Sequence, residues 1–62
     1  MKFIQLQTRN TRKRISVRAE DVFRVEENDR YYSKLTLDNH RGGTEEIECY
    51  ETFDTVMDAM VR

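Results

Sequence analysis

Sixty-two residues make one domain, near the smallest size at which a chain buries enough apolar surface to fold unaided. One cysteine, Cys49, excludes an intrachain disulfide, and one histidine, His40, without a Cys/His cluster, leaves no recognisable metal site. Eleven cations against twelve carboxylates give a formal net charge of −1, less basic than nucleic-acid-binding domains usually are.

Phe3-Ile4-Gln5-Leu6-Gln7 alternates through Thr8, the pattern of a half-buried strand over about 2–8. Asn10-Thr11 turns the chain, with Asn10 suited to positive φ. A second strand is expected over about 12–18, with Ile15 and Val17 inward and Arg14, Ser16 and Arg18 outward. Ala19-Glu20-Asp21 interrupts the pattern, and a third strand follows over about 22–27, with Phe23 and Val25 inward. Asn28-Asp29-Arg30 turns into a fourth strand over about 31–37, where Tyr31, Ser33, Leu35 and Leu37 alternate with Tyr32, Lys34 and Thr36. Asp38-Asn39-His40-Arg41-Gly42-Gly43 is the strongest turn signal of the chain. It leads to a fifth strand over about 44–50, with Ile47 and Cys49 inward and Glu46, Glu48 and Tyr50 outward.

From there the period changes. Apolar residues at 53, 56, 57, 60 and 61 form the stripe of a helix over about 53–61, with Thr52 placed as its N-cap and Asp54 near the positive end of its dipole. So short a helix persists only when packed, and the strands are the surface available. The fold class expected is α+β, mostly β: a single domain over 1–62 built as a five-stranded antiparallel meander, strongly twisted or barrel-like, with one C-terminal helix on one face. Its core is predicted as Ile4, Leu6, Ile15, Val17, Phe23, Val25, Leu35, Leu37, Ile47 and Cys49 against Phe53, Val56, Met57 and Met60. A core of this size supplies about 3–5 kcal/mol, so self-association is the remaining common route to extra stability.

The opening residues form no signal-peptide h-region, and no run of about 20 apolar residues can span a bilayer. A cytoplasmic protein without membrane insertion is expected, and a lone thiol suits a reducing compartment. Charge is unevenly spread. Residues 1–24 hold seven cations against two carboxylates, and residues 25–62 hold four against ten, a polarity suited to cross-strand pairing or to head-to-tail association between chains.

Met1-x-x-Ile4-x-Leu6-x-Thr8-Arg9-Asn10, the strand ending Val25-Glu26-Glu27, Leu35-Thr36-Leu37-Asp38, and Glu51-Thr52-Phe53-Asp54-x-Val56 at the helix start span nearly the whole chain. In these features the sequence resembles the FlbD-like (SwrD-like) small flagellar and swarming-motility proteins and related short bacterial or phage proteins of unassigned role. The resemblance implies a non-enzymatic accessory protein acting through contacts. The chain departs from that pattern at Asn10-Thr11, in place of an Asn-Gly turn, and at the basic run Arg12-Lys13-Arg14.

Catalytic chemistry finds little footing in these residues. His40 beside Asp38 reads as a solvated loop histidine, and Cys49 as a small apolar side chain on an inward face. Arg41-Gly42-Gly43-Thr44 precedes a strand, and so lacks the helix N-terminus of a phosphate loop. No catalytic residue, cofactor or metal ligand is expected. The outward aromatics Phe3, Tyr32 and Tyr50 are the candidate protein contact, since such residues beside arginine are common interface anchors. The sequence therefore points to an interaction or regulatory module, self-associating, whose partner it does not name. The alternative is nucleic-acid binding through Arg9, Arg12, Lys13, Arg14, Arg24 and Lys34, with the aromatics stacking bases.

Overall fold

The computed structural model describes residues 2–29 and 31–62. Strands β1 (Phe3–Gln7) and β2 (Arg14–Arg18) pair as an antiparallel hairpin, with Leu6 opposite Ile15 and Ile4 opposite Val17. A 3-10 turn, Ala19–Asp21, leads to β3 (Val22–Asp29), β4 (Tyr32–Asp38) and β5 (Thr44–Cys49), an antiparallel meander in the order β3-β4-β5. Helix α1 (Phe53–Val61) closes the chain where its apolar spacing places it.

The strands therefore form two sheets, where the sequence pattern suggested one meander approaching a barrel. The 3-10 turn swings the chain out of plane, and among the described residues β2 and β3 share no ladder. Instead, the end of β1 reaches β5. Thr8 and Cys49 form an isolated bridge, the Arg9 N–H donates to the Glu48 carbonyl at 2.9 Å, and the Tyr50 N–H donates to the Gln7 carbonyl at 2.9 Å. The Gln7 N–H donates to Glu51 Oε1 at 3.0 Å, so a side chain continues what the ladder began. No barrel closes, because the outer edges of β2 and β3 lack a common partner.

The first hairpin also turns differently from expectation. Thr8 N–H donates to the Lys13 carbonyl and Arg12 N–H to the Thr8 carbonyl, so residues 9–12 form the loop and β2 starts only at Arg14. Arg12, at φ 58°, takes the left-handed conformation that the sequence assigned to Asn10.

One core lies between the sheets and the helix. Ile4, Leu6, Leu35, Cys49 and Val56 are buried together, and Ile15, Val17, Ala19, Val22, Val25, Ile47, Ala59 and Met60 pack around them. Phe23 is the correction: it is 63% exposed. Val22 faces Leu37 and Arg24 faces Thr36, so β3 holds one residue more than its partner between these pairs. That bulge turns Phe23 outward and lets Val22 and Val25 reach the core three positions apart. Tyr31 is likewise outside, 73% exposed, because β4 begins at Tyr32.

Local polar chemistry fixes the remaining connections. Asn39 Oδ1 accepts from the Arg41 and Gly43 N–H groups, while Gly42, at φ 84°, supplies the left-handed step that closes the β4–β5 turn. Thr52 Oγ1 accepts from the Thr55 N–H at 3.3 Å and so caps α1 as expected. Lys2 Nζ donates to the Met60 carbonyl at 3.0 Å, bringing the chain's two ends together.

This packing separates two apolar side chains that the sequence pattern treats alike. Leu35→Ala should lose about 2–5 kcal/mol, enough to leave so small a domain largely unfolded. Phe23→Ala should melt close to wild type. Thermal melts of both variants, followed by circular dichroism, check the expectation, and equal destabilisation contradicts the bulge.

Candidate functional site

Two groups of residues that the sequence suggested for different purposes meet at the sheet junction. The bonds that tie β1 to β5 lay Arg9 across the outer face of the larger sheet, its guanidinium carbon 3.6 Å from the centroid of Tyr32 and 5.7 Å from that of Tyr50. Cation–π contacts contribute about 0.5–2 kcal/mol, more as they are withdrawn from solvent. The two tyrosines thus hold an arginine of their own chain. Phe3, 56% exposed, belongs to the other sheet and lies at the end of β1 opposite the junction.

The remaining cations divide by sheet. Arg24 Nε pairs with Glu26 at 3.3 Å and Lys34 Nζ with Glu46 at 3.5 Å, both on the larger sheet. These are solvated pairs that contribute little each. In the hairpin, Arg14 donates to Gln5 Oε1 at 3.5 Å, and Arg12, Lys13 and Arg14 have no carboxylate partner among the described residues. Residues 2–18 contain six cations and no carboxylate, so the two-sheet division leaves one sheet wholly basic.

A second surface escaped the sequence reading. Val22, Phe23, Arg24, Val25, Phe53, Met57 and Met60 line an open groove of about 260 Å³ between β3 and α1. Of the helix, only Val56 is fully buried, and Phe53, Met57 and Met60 remain partly open to solvent. The signal available in the sequence was Val22 three residues before Val25, a spacing that a regular strand cannot place on one face.

Folding also assembles Asp21, Asp38 and His40, whose donor atoms lie within 4.8 Å of one another. His40 Nε2 stands 3.0 Å from Asp21 Oδ2, the His40 N–H donates to Asp38 Oδ1 at 2.9 Å, and Arg18 Nε is 4.0 Å from the same Asp21 oxygen. Arg18 also pairs with Glu20. Asp21 thus meets both Arg18 and His40 and pins the β4–β5 turn to the 3-10 turn. The hydrogen bond and charge of Asp21, followed by the charge of Asp38, raise the His40 pKa against desolvation and the opposing charge of Arg18. Neither Asp21 nor the pair as a whole was visible in the sequence, since the partners lie in different turns.

Cys49 is enclosed, as its strand parity suggested. Burial raises its pKa, while the Ser33 hydroxyl at 3.3 Å and the Glu51 carbonyl at 3.7 Å act in the opposite sense. A thiol so placed is protonated near neutrality and shielded from reagents.

Compared with known proteins, the chain matches no family model, no curated protein and no solved structure. No helix among the described residues is long and apolar enough to cross a membrane.

Two titrations test these environments. Ring-proton NMR should find His40 ionising above its ordinary value of about 6.5, and Asp21→Asn should lower it. A raised folded pKa means that the contact's contribution to stability is complete below the unfolded value and is lost as pH rises through the folded one. For Cys49 the neutral thiol is favoured by folding, so stability should fall as pH rises past the unfolded thiol's value of about 8.5. An aromatic disulfide reagent should label native protein slowly and denatured protein fast, and equal rates would place the thiol outside.

Proposed function

We propose that this chain is a non-enzymatic interaction module that works through protein contacts, and that the groove between β3 and α1 is its contact surface. The observation that carries this reading is the apolar lining left open on a domain with little apolar surface to spare: Phe23 is 63% exposed beside Phe53, Met57 and Met60. A bulge that turns an aromatic outward sacrifices core for surface, and methionine-lined grooves adapt their shape to a partner's apolar side chains.

The chemistry elsewhere supports a contact role over a catalytic one. His40 is paired with Asp21 in an exposed turn, and the Cys49 thiol is buried and held neutral, so neither ordinary base nor nucleophile is poised against a pocket. The resemblance of the strand and turn residues to FlbD-like accessory proteins points the same way, with no family match behind it.

Site-specific photo-cross-linking tests the groove. A benzophenone side chain at position 23 should form protein adducts in the native cell, one at position 3 should not, and Met57→Ser should remove the adducts while circular dichroism stays unchanged. Equal adducts from both positions, or none from position 23, would overturn the assignment.

A further inference from the structure

The basic hairpin loop and the acidic strand β5 are complementary in charge and only partly satisfied among the described residues. Lys13 and Arg14, with Arg12 beside them, are exposed at the start of β2 and meet no carboxylate among the described residues. Beside the hairpin turn, Asn10, Lys34, Glu45, Glu46, Ile47 and Glu48 line an open cleft of about 440 Å³ along β5. Of its three carboxylates, Glu46 pairs with Lys34, Glu48 accepts from Asn28 Nδ2 at 2.9 Å, and Glu45 has no cation among the described residues.

Backbone geometry agrees with the charge. β5 is bonded to β4 along its length on one side, whereas on the other side β1 reaches it only around Glu48 to Tyr50. Residues 44–47 therefore present an unpaired strand edge beside the carboxylates. Among the described residues β2 is paired with β1 alone, so its outer edge is also unpaired, and it begins at Arg14 directly after Arg12 and Lys13. An open acidic edge and an open basic edge on one chain are matching halves of one interface.

We propose that the chain associates with copies of itself head to tail, the Arg12–Lys13–Arg14 edge of one molecule seated in the Glu45–Glu46–Glu48 cleft of the next. The two halves are different surfaces, so the contact is heterologous and grows into rings or filaments. Charge steers the encounter, and the added strand edge sets its register. A nucleic acid fits the same cations less well. The acidic cleft borders the hairpin turn through Asn10, where it repels phosphates, and the faces of Tyr32 and Tyr50 that would stack bases are taken by Arg9. The inference rests on charge and strand edges and not on the apolar groove, so either can fail alone.

Charge reversal with mixing tests it. Light scattering should show wild type above the monomer mass at about 0.02 M salt and at the monomer mass at about 0.5 M, since exposed pairs are screened there. Lys13→Glu with Arg14→Glu should be monomeric at both, and so should Glu45→Lys with Glu46→Lys, each folded by circular dichroism. Mixed, the two variants should associate again, because one supplies an intact cleft for the other's intact hairpin, and the reversed hairpin and reversed cleft are complementary in turn. Phe23→Ser should associate like wild type. A wild type that stays monomeric at low salt, a mixture that stays apart, or association lost with Phe23→Ser would overturn the proposal. Salt-sensitive binding of duplex DNA that tightens in Glu45→Lys with Glu46→Lys would overturn it in favour of a polyanion surface.

Discussion

The two sheets of this chain are joined at one short stretch, and most of the molecule's surface chemistry is positioned by that joint. Two backbone hydrogen bonds, from Arg9 to Glu48 and from Tyr50 to Gln7, flank the Thr8–Cys49 bridge, and the Glu51 carboxylate extends the pairing to the Gln7 N–H. Each bond adds only about 1 kcal/mol net, but an enclosed donor left without its acceptor costs about 1–3 kcal/mol. Beneath the bridge, Ser33 Oγ donates to the Glu51 carbonyl at 2.9 Å and lies 3.3 Å from the Cys49 sulfur, so the buried polar atoms at the joint satisfy one another. Glu51 therefore acts through both its carbonyl and its carboxylate, on two different sheets.

From this joint the separation of charge follows. The hairpin that carries only cations packs on the meander through the core but, among the described residues, pairs with its backbone at one corner only. Opposite charges that a single continuous meander would have interleaved across neighbouring strands remain on separate bodies. Arg9, the one hairpin cation at the corner itself, is absorbed by Tyr32 and Tyr50 and serves as part of the joint. Its packing shows why a residue type common in binding surfaces need not be available for binding.

Side-chain periodicity was a good guide to what lies inside and a poor one to how strands pair. The helix from Phe53 to Val61 and its Thr52 cap are as the spacing indicated, because a 3.6-residue stripe and a hydroxyl at its start are local signals. Ile4, Leu6, Leu35 and Cys49 are buried as their alternation suggested. Phe23 escapes the alternation because a bulge changes parity without changing composition, and β4 begins at Tyr32, one residue after the boundary that the alternation suggests. The joining of the two sheets lay outside any local signal, since it brings together Gln7 and Glu51, 44 residues apart. Separation in sequence likewise hid the meeting of His40 with Asp21, 19 residues apart, and of Arg9 with the tyrosines.

That separation also shapes how the chain reaches its native state. Each sheet is assembled from neighbouring strands, and hairpins of this kind close in about 1–10 μs. Neither is stable alone, because a hairpin or a small sheet without a covered apolar face is marginal in water. The contacts that cover those faces join positions 44 and 58 residues apart, so they come only after a long loop has closed. Folding therefore has to bring the two halves together across a barrier to which that loop closure contributes. Removing the Glu51 carboxylate changes the rate of that crossing only to the extent that the corner is already built at its summit, which makes this one side chain a reporter of the order in which the molecule assembles.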